Sequence, residues 1–452
     1  MQRLAVLNVV GLTRSLIGNH TPNIQAFADA GQLSSFKPAF PAVTCTAQST
    51  YLTGLSPAEH GIVANGWYDR VDAEHKFWKQ SNHLVRGEKL WESLRADHPD
   101  FTCAKMFWWY NMYSSADWSV TPRPMYPADG RKFFDVYTQP MDMREQVKAD
   151  LGEFPFPTFW GPKADIPSSQ WIAKSAMWVE EKHQPSLNLV YLPHLDYCLQ
   201  KFGPGAAEIP AELEQIDHVV GELIDFYQAR DIKVVILSEY GISKVDQPVY
   251  LNRLFREKGW ITIKNELGRE LMDCGASKVF AIADHQVAHI YLNDESLRDE
   301  VIQLLESTAG VEEVRSQQDA FGGDSRAGDL IAVAEGNAWF AYYYWLDDAV
   351  APDFARCIDI HRKPGYDPVE LFIDPELKFP LGKIAKFLIK KKLGFRGLLD
   401  VIPLDATLVK GSHGRDNVDA DEQPVYISQS AGVNVQSAEQ VFECLKAEIL
   451  AS

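Results

Sequence analysis

The chain has 452 residues, of which 46% are hydrophobic and 23% charged, a balance that suits one large α/β domain with a smaller insertion better than three equal domains. Its formal net charge of −18 argues against nucleic-acid polymers as partners, since backbone binding needs a dense cationic face. It leaves room for a small phosphate substrate, because a local metal overrides the global field. The six cysteines, at positions 45, 103, 198, 274, 357 and 444, form no CxxC pair, so neither a zinc knuckle nor a redox motif is indicated and reduced thiols are expected.

Residues 4–10 are apolar except for Asn8 and lead into Gly11, the pattern of a buried parallel strand ending in a loop. The run is too short for a membrane span and has no small-residue cleavage site, so a cytoplasmic protein is expected. Thr21-Pro22-Asn23 starts a helix through about residue 30, with Thr21 as cap and Pro22 at its first position. Residues 46–52 suit a short helix that Thr53-Gly54 ends, which puts Thr44 at a helix N-terminus. Unpaired N–H groups there favour an anion, and the hydroxyl either caps the helix or attacks a phosphorus atom held by those groups. A plain cap is the commoner role on local pattern alone.

Residues 89–96 read as a helix and 102–107 as a strand. Residues 107–126 are crowded with aromatics, either a packed layer under a long loop or a wall for a base, ring or acyl chain; packing is the reading taken. Residues 154–162 read as loop and 169–182 as helix. The strand at 187–192 ends at Pro193-His194-Leu195-Asp196. A long helix at 208–228 and a strand at 234–237 follow, the latter ending at Ser238-Glu239-Tyr240-Gly241. This alternation implies a mainly parallel sheet sandwiched by helices, with function at the carboxyl ends of strands, where Gly11, Asp196 and Glu239 fall. Residues 250–345 are expected to form an inserted α/β cap, leaving 1–249 and 346–452 as the core. Residues 383–396 carry six basic residues and no acid at helical spacing. They suit an anionic membrane, an acidic partner, or a solvated face balancing an acidic protein. The solvated face is preferred, because one short cationic face binds membranes weakly.

Around Thr44 the order is Thr44, Thr53-Gly54, Pro57, His60-Gly61-Ile62, Asn65. This resembles the nucleophile segment of the alkaline phosphatase superfamily, in particular its nucleotide pyrophosphatase/phosphodiesterase and phosphonoacetate hydrolase branches. The resemblance implies an alkaline-phosphatase-like core, Thr44 as the nucleophile that carries the phosphoryl group, and Asn65 as a donor to a phosphoryl oxygen; His60 belongs to the turn. It also implies divalent metal, usually two zinc ions. One ion takes an Asp, a His four residues later and a His from a late G-x-HG motif; the other takes an Asp ending the first strand, the nucleophile and an Asp-His pair. Asp196 and His413, the latter in Gly411-Ser412-His413-Gly414, match. Glu239 is a conservative change, while Val10, Gln200 and Tyr240 depart. The candidate metal set is therefore Asp196, Glu239, His413, Gln200 and Tyr240. Gln is a neutral ligand better suited to hard cations, and a Tyr with an unperturbed pKa near ~10 is a costly phenolate.

Three repairs are conceivable: Asn8 through a slipped alignment, His194 as a substitute imidazole, and Asp284 with His285 reaching in from the cap. The plainer readings are preferred: a satisfied core amide, a loop hydrogen-bonder and a surface turn. The expected function is metal-assisted hydrolysis of a small-molecule phosphate or phosphonate ester, most simply a phosphodiester, through phospho-Thr44. The alternatives are a catalytically silent relative that binds a phosphorylated ligand or a protein partner, and phosphoryl transfer to an acceptor other than water. Oligomeric state is not legible.

Overall fold

The structure, a computed structural model, describes residues 1–129 and 131–451; Ser452, the last residue of the expected core segment, lies outside them. The first apolar run forms the strand Leu4–Val9, buried along its whole length. It pairs in parallel with Leu187–Leu192 on one side and Lys233–Leu237 on the other. A strand covered on both faces has no polar side to show, so its sequence is continuously apolar instead of alternating. Cys103–Met106 and Trp118–Pro122 extend the parallel ladder. Antiparallel strands close its edges: Val136–Gln139 at one, Val425–Ser428 and then Gln32–Ser35 at the other. The result is the mainly parallel sheet the alternation implied, here eight strands wide.

Two groups of helices flank it. Pro22–Asp29, Pro167–His183 and Ile209–Gln228 pack on one another, as do Thr44–Thr53, Leu90–Asp97 and Gln440–Leu450. The helix expected over 46–52 starts two residues earlier. Its cap residue is Val43, extended at φ −134° and ψ 155°, so Thr44 is the first helical residue and its hydroxyl is free of capping duty. Gly54 ends the helix at φ 68°, a left-handed conformation that glycine adopts without strain.

A second sheet is four-stranded and antiparallel, formed by Val279–Asp284, Val287–Leu292, Leu330–Ala334 and Val311–Ser316. The helix Arg298–Glu306 packs on it. Its apolar core takes in Tyr68 and Phe77 from earlier in the chain and Phe354, Val369 and Ile402 from later. The hairpin between its first two strands turns at His285 and Gln286 and reaches the late glycine-rich segment. The Gln286 N–H donates to His413 O at 2.8 Å, and the Ala42 N–H donates to Gly414 O at 2.9 Å. The late glycine-rich segment is thus clamped between the cap and the loop before Thr44.

All six cysteines are free. Among the described residues no helix is long and apolar enough to cross a membrane. The basic stretch forms the helix Pro380–Lys392, which buries none of its residues.

Candidate active site

Three adjacent strands of the sheet deliver the site. Asn8 lies near the end of the central one, Asp196 follows its neighbour on one side and Glu239 its neighbour on the other. Thr44 faces them from the N-terminus of its helix, 4% exposed.

Asp196, Gln200, Tyr240 and His413 lie together, and the first three form a hydrogen-bonded network of their own. The Tyr240 hydroxyl lies 2.9 Å from Thr44 Oγ1 and donates to Asp196 Oδ1 at 3.1 Å. With that donor spent, Thr44 is the donor to Tyr240, and the three groups form a directed relay from hydroxyl to carboxylate. Gln200 Nε2 donates to Asp196 Oδ2 at 2.9 Å, and Gln200 Oε1 accepts from the Tyr366 hydroxyl at 3.0 Å. Gln200 thus orients Asp196 and has its carbonyl engaged. Burial pushes the Asp196 carboxyl up to about 7 against the pull of Tyr240 and Gln200. Burial also raises the Tyr240 phenol well above its ordinary range, so Tyr240 is present as the neutral phenol, not a phenolate.

Glu239 flanks this relay. Its Oε1 accepts from Asn8 Nδ2 at 2.5 Å and Gln48 Nε2 at 2.7 Å, and burial pushes its carboxyl up to about 8 against the pull of Gln48, Asn8 and the nearby Thr44 hydroxyl. Gln48 stands one helical turn after Thr44, on the same face. Its Oε1 accepts the Trp109 N–H at 2.7 Å, which ties the aromatic stretch to the site. Of that stretch Phe107, Trp108 and Tyr110 are buried packing residues, as read. Half-buried Trp109 lies against Trp78 (4.8 Å between ring centres), and Trp160 lies against Tyr197 and Tyr366.

The plainer reading of Asp284 and His285 as a surface turn is overturned. Both are buried, because the cap hairpin carries them onto the nucleophile arm. Asp284 accepts from the Asn65 backbone N–H at 2.8 Å and from Asn65 Nδ2 at 3.2 Å, while Asn65 Oδ1 accepts the Cys45 N–H at 3.0 Å. Asn65 therefore joins the helix N-terminus to the cap and keeps one amide hydrogen for a ligand. His285 Nδ1 bonds Asp284 Oδ1 at 2.7 Å, and its backbone is at φ 61°, as a two-residue hairpin turn between Asp284 and Val287 requires. The rings of Tyr366, His285, His413 and Tyr240 form one continuous stack, with centres 3.7, 3.8 and 3.6 Å apart. Tyr366 was not legible as a site residue, as no local motif surrounds it.

The two-ion set does not fit its expected positions. Val10 is apolar and buried, the Tyr240 hydroxyl bridges Thr44 and Asp196, and the Gln200 carbonyl is engaged. Nor does His194 repair it. It lies on the opposite side of the helix His194–Phe202 from Asp196, with Nε2 2.8 Å from Glu212 Oε2. Among the described residues His194, Cys198 and Glu212 are the one group of three such side chains whose ligand atoms all lie within 4.8 Å of one another.

Four buried atoms of the site nevertheless lack hydrogen-bond partners: Asn8 Oδ1, Glu239 Oε2, His285 Nε2 and His413 Nε2. Asn8 is therefore not the satisfied core amide expected. His413 Nδ1 donates to Ala42 O at 2.7 Å and His285 Nδ1 to Asp284, so both Nε2 atoms present lone pairs. Burial holds both imidazoles well below their usual range, hence neutral. His413 Nε2 is also 3.5 Å from Asp196 Oδ1. Buried lone pairs with no donor suit a cation, but the ligand atoms of Asp196, His413 and His285 do not all lie within 4.8 Å of one another, so these residues as placed do not close around an ion.

Solved structures share this architecture. Human ectonucleotide pyrophosphatase/phosphodiesterase 5 superposes over 99% of this chain and 95% of its own, with TM-score 0.60 at 14% identity. Phosphonoacetate hydrolase from Sinorhizobium meliloti does so over 100% and 96%, with TM-score 0.61 at 14% identity. At the sequence level an uncharacterised pyrophosphatase/phosphodiesterase of Schizosaccharomyces pombe is 26% identical over 248 residues, 52% of this chain and 44% of that protein. Rat ectonucleotide pyrophosphatase/phosphodiesterase family member 1 is 22% identical over 249 residues, 52% and 23%. The matches thus span less than half the length of these curated relatives. The type I phosphodiesterase/nucleotide pyrophosphatase family model matches residues 4–367, most of the chain, and the chain belongs to that family.

Proposed function

We propose that the protein hydrolyses a small phosphate or phosphonate ester, most simply a phosphodiester, through a phospho-Thr44 intermediate. The observation that carries this reading is the relay from Thr44 through Tyr240 to Asp196, placed at a helix N-terminus. Family membership supports the reaction class. A murine pyrophosphatase/phosphodiesterase 5, inactive with one threonine replaced by alanine, is seen with AMP, and the Sinorhizobium hydrolase with phosphonoacetate and phosphonoformate, all small phosphorus acids.

The N-terminal N–H groups of helix Thr44–Thr53 and the free Asn65 amide hydrogen bind the phosphoryl oxygens and favour the charge that develops on them. Thr44 Oγ1 attacks phosphorus, its proton passes to the Tyr240 oxygen, and the Tyr240 proton passes to Asp196. The bond to the leaving oxygen breaks and that oxygen departs with the pair. In the second half water attacks phosphorus, and Thr44 leaves and regains its proton by the same route in reverse; one water proton stays on the phosphate product and the other neutralises the departed oxygen. The half-buried Trp78, Trp109 and Trp160 offer flat faces to a ring on the leaving group. Asp196, His413 and His285 would have to draw closer together to hold a divalent ion, zinc by resemblance, which would supply Lewis-acid polarisation of a phosphoryl oxygen.

Thr44→Ala is expected to lower turnover of an aryl phosphodiester by about ten-thousandfold or more with unchanged melting behaviour. Full activity in that variant would end the mechanism. One observation favours the silent alternative: Thr44, Gln200, Glu239 and Tyr240 are all closed off from solvent. Binding of AMP by the wild type with no turnover under any divalent metal would establish it instead.

A further inference from the structure

The basic helix was read as a solvated face, which accounts for its lysines but not for its apolar residues. Phe379, Leu381, Leu388, Ile389, Leu393 and Phe395 stand out into solvent, Leu381 at 76% and Leu393 at 68% exposure. Leu381, Leu388 and Ile389 fall on one face of the helix at helical spacing. Lys383, Ile384 and Phe387 are half-buried positions of the helix, with Ile384 packed on the cap core, and Leu381, Leu388 and Ile389 lie beside that seam and stay exposed to solvent. Soluble surfaces scatter such residues singly and do not line them up.

Between residues 377 and 399 stand seven basic residues and no acid, in a chain of net charge −18. Among the described residues only Lys383 of the seven is paired, with Asp400 at 2.9 Å. Beside the helix, Lys391 Nζ donates to Lys132 O at 3.3 Å. This joins it to the loop where Met125 bridges Phe133 and where Tyr126, Phe133 and Phe134 are also exposed. Lys132 Nζ lies 5.7 Å from the Tyr126 ring centre and 5.6 Å from that of Phe134. The patch therefore continues beyond the helix with the same composition.

We infer that the helix Pro380–Lys392 and the adjoining exposed side chains of Met125, Tyr126, Phe133 and Phe134 are a docking surface for an anionic lipid bilayer. The apolar stripe enters the acyl boundary while Lys386, Lys390, Lys391, Lys392 and Arg396 reach the headgroups on flexible stems. An otherwise acidic protein is repelled by such a surface everywhere else, so charge fixes the orientation as well as the affinity. Joining apolar insertion to cationic attraction meets the two-signal requirement that a cationic face alone fails. Docking does not depend on the chemistry at Thr44.

The test is flotation of the full chain with phosphatidylcholine vesicles, plain or doped with phosphatidylserine, at low and high salt. The wild type is expected to float with the anionic vesicles only, and less at high salt. The variant with Lys390, Lys391 and Lys392 all changed to Glu is expected to lose about a hundredfold in partition coefficient. Leu388→Asp with Ile389→Asp should lose about tenfold or more at unchanged circular dichroism, and Thr44→Ala should float as the wild type does. Absence of flotation at low salt, or flotation that survives both helix variants, would overturn the inference. So would a concentration-dependent dimer that Leu388→Asp dissolves without any flotation, which would assign the face to a second copy of the chain.

Discussion

The two walls of the site differ in how closely they follow the family pattern. The nucleophile arm, residues 40–69, keeps every motif residue from Thr44 to Asn65. The strand ends opposite carry Val10, Gln200 and Tyr240 where the resemblance implies metal donors, and Gln200 and Tyr240 join Asp196 in a hydrogen-bonded network. The anion side is built largely from backbone, the N–H groups of a helix start, and backbone groups do not change with the side chain above them. The cation side is built from side chains, and each substitution there rewrites the chemistry. The phenol of Tyr240 now stands between Thr44 and Asp196, and the lone pairs that remain belong to a different set, with His285 drawn in from the cap.

That contrast can be broken at several points. The largest effect is expected from Tyr240→Phe, which removes the middle of the relay and leaves the helix start intact. Its turnover number should fall by about a hundredfold or more with KM little changed, the scale of general-base assistance. His285→Ala should weaken binding of a divalent ion by about ten- to a hundredfold, read by calorimetry on chelator-dialysed protein, while His194→Ala leaves that affinity unchanged. Asp284→Asn leaves the Asn65 N–H groups and the His285 ring facing a neutral partner. A loss of about 1–3 kcal/mol in denaturant unfolding is expected, since bonds to a buried charge are weakened. Gln48→Ala touches both walls most lightly; with the bonds to Glu239 and to the Trp109 N–H gone, about 1 kcal/mol of stability should be lost.

The fold was legible because continuous apolar strands alternate with amphipathic helices, and the nucleophile arm because its turn residues stand at fixed offsets. The start of the Thr44 helix was misplaced by two residues, since Val43 supplies the extended entry that a Ser or Asp cap would announce. Asp284 and His285 read locally as a surface turn. Nothing local tells a buried hairpin tip from an exposed one, and only docking of Gln286 on His413 buries them. Tyr366 enters from far along the chain through ring stacking, which has no sequence period at all.

The most direct measurement is rapid acid quench of the protein with excess aryl phosphodiester, followed by intact mass and peptide mapping. A phosphoryl adduct that forms within the first turnover, maps to Thr44 and accumulates more slowly in Tyr240→Phe is the expected result. Steady product release with no covalent adduct at any time, or an adduct that forms as fast in Tyr240→Phe as in the wild type, would contradict the relay from Thr44 through Tyr240 to Asp196.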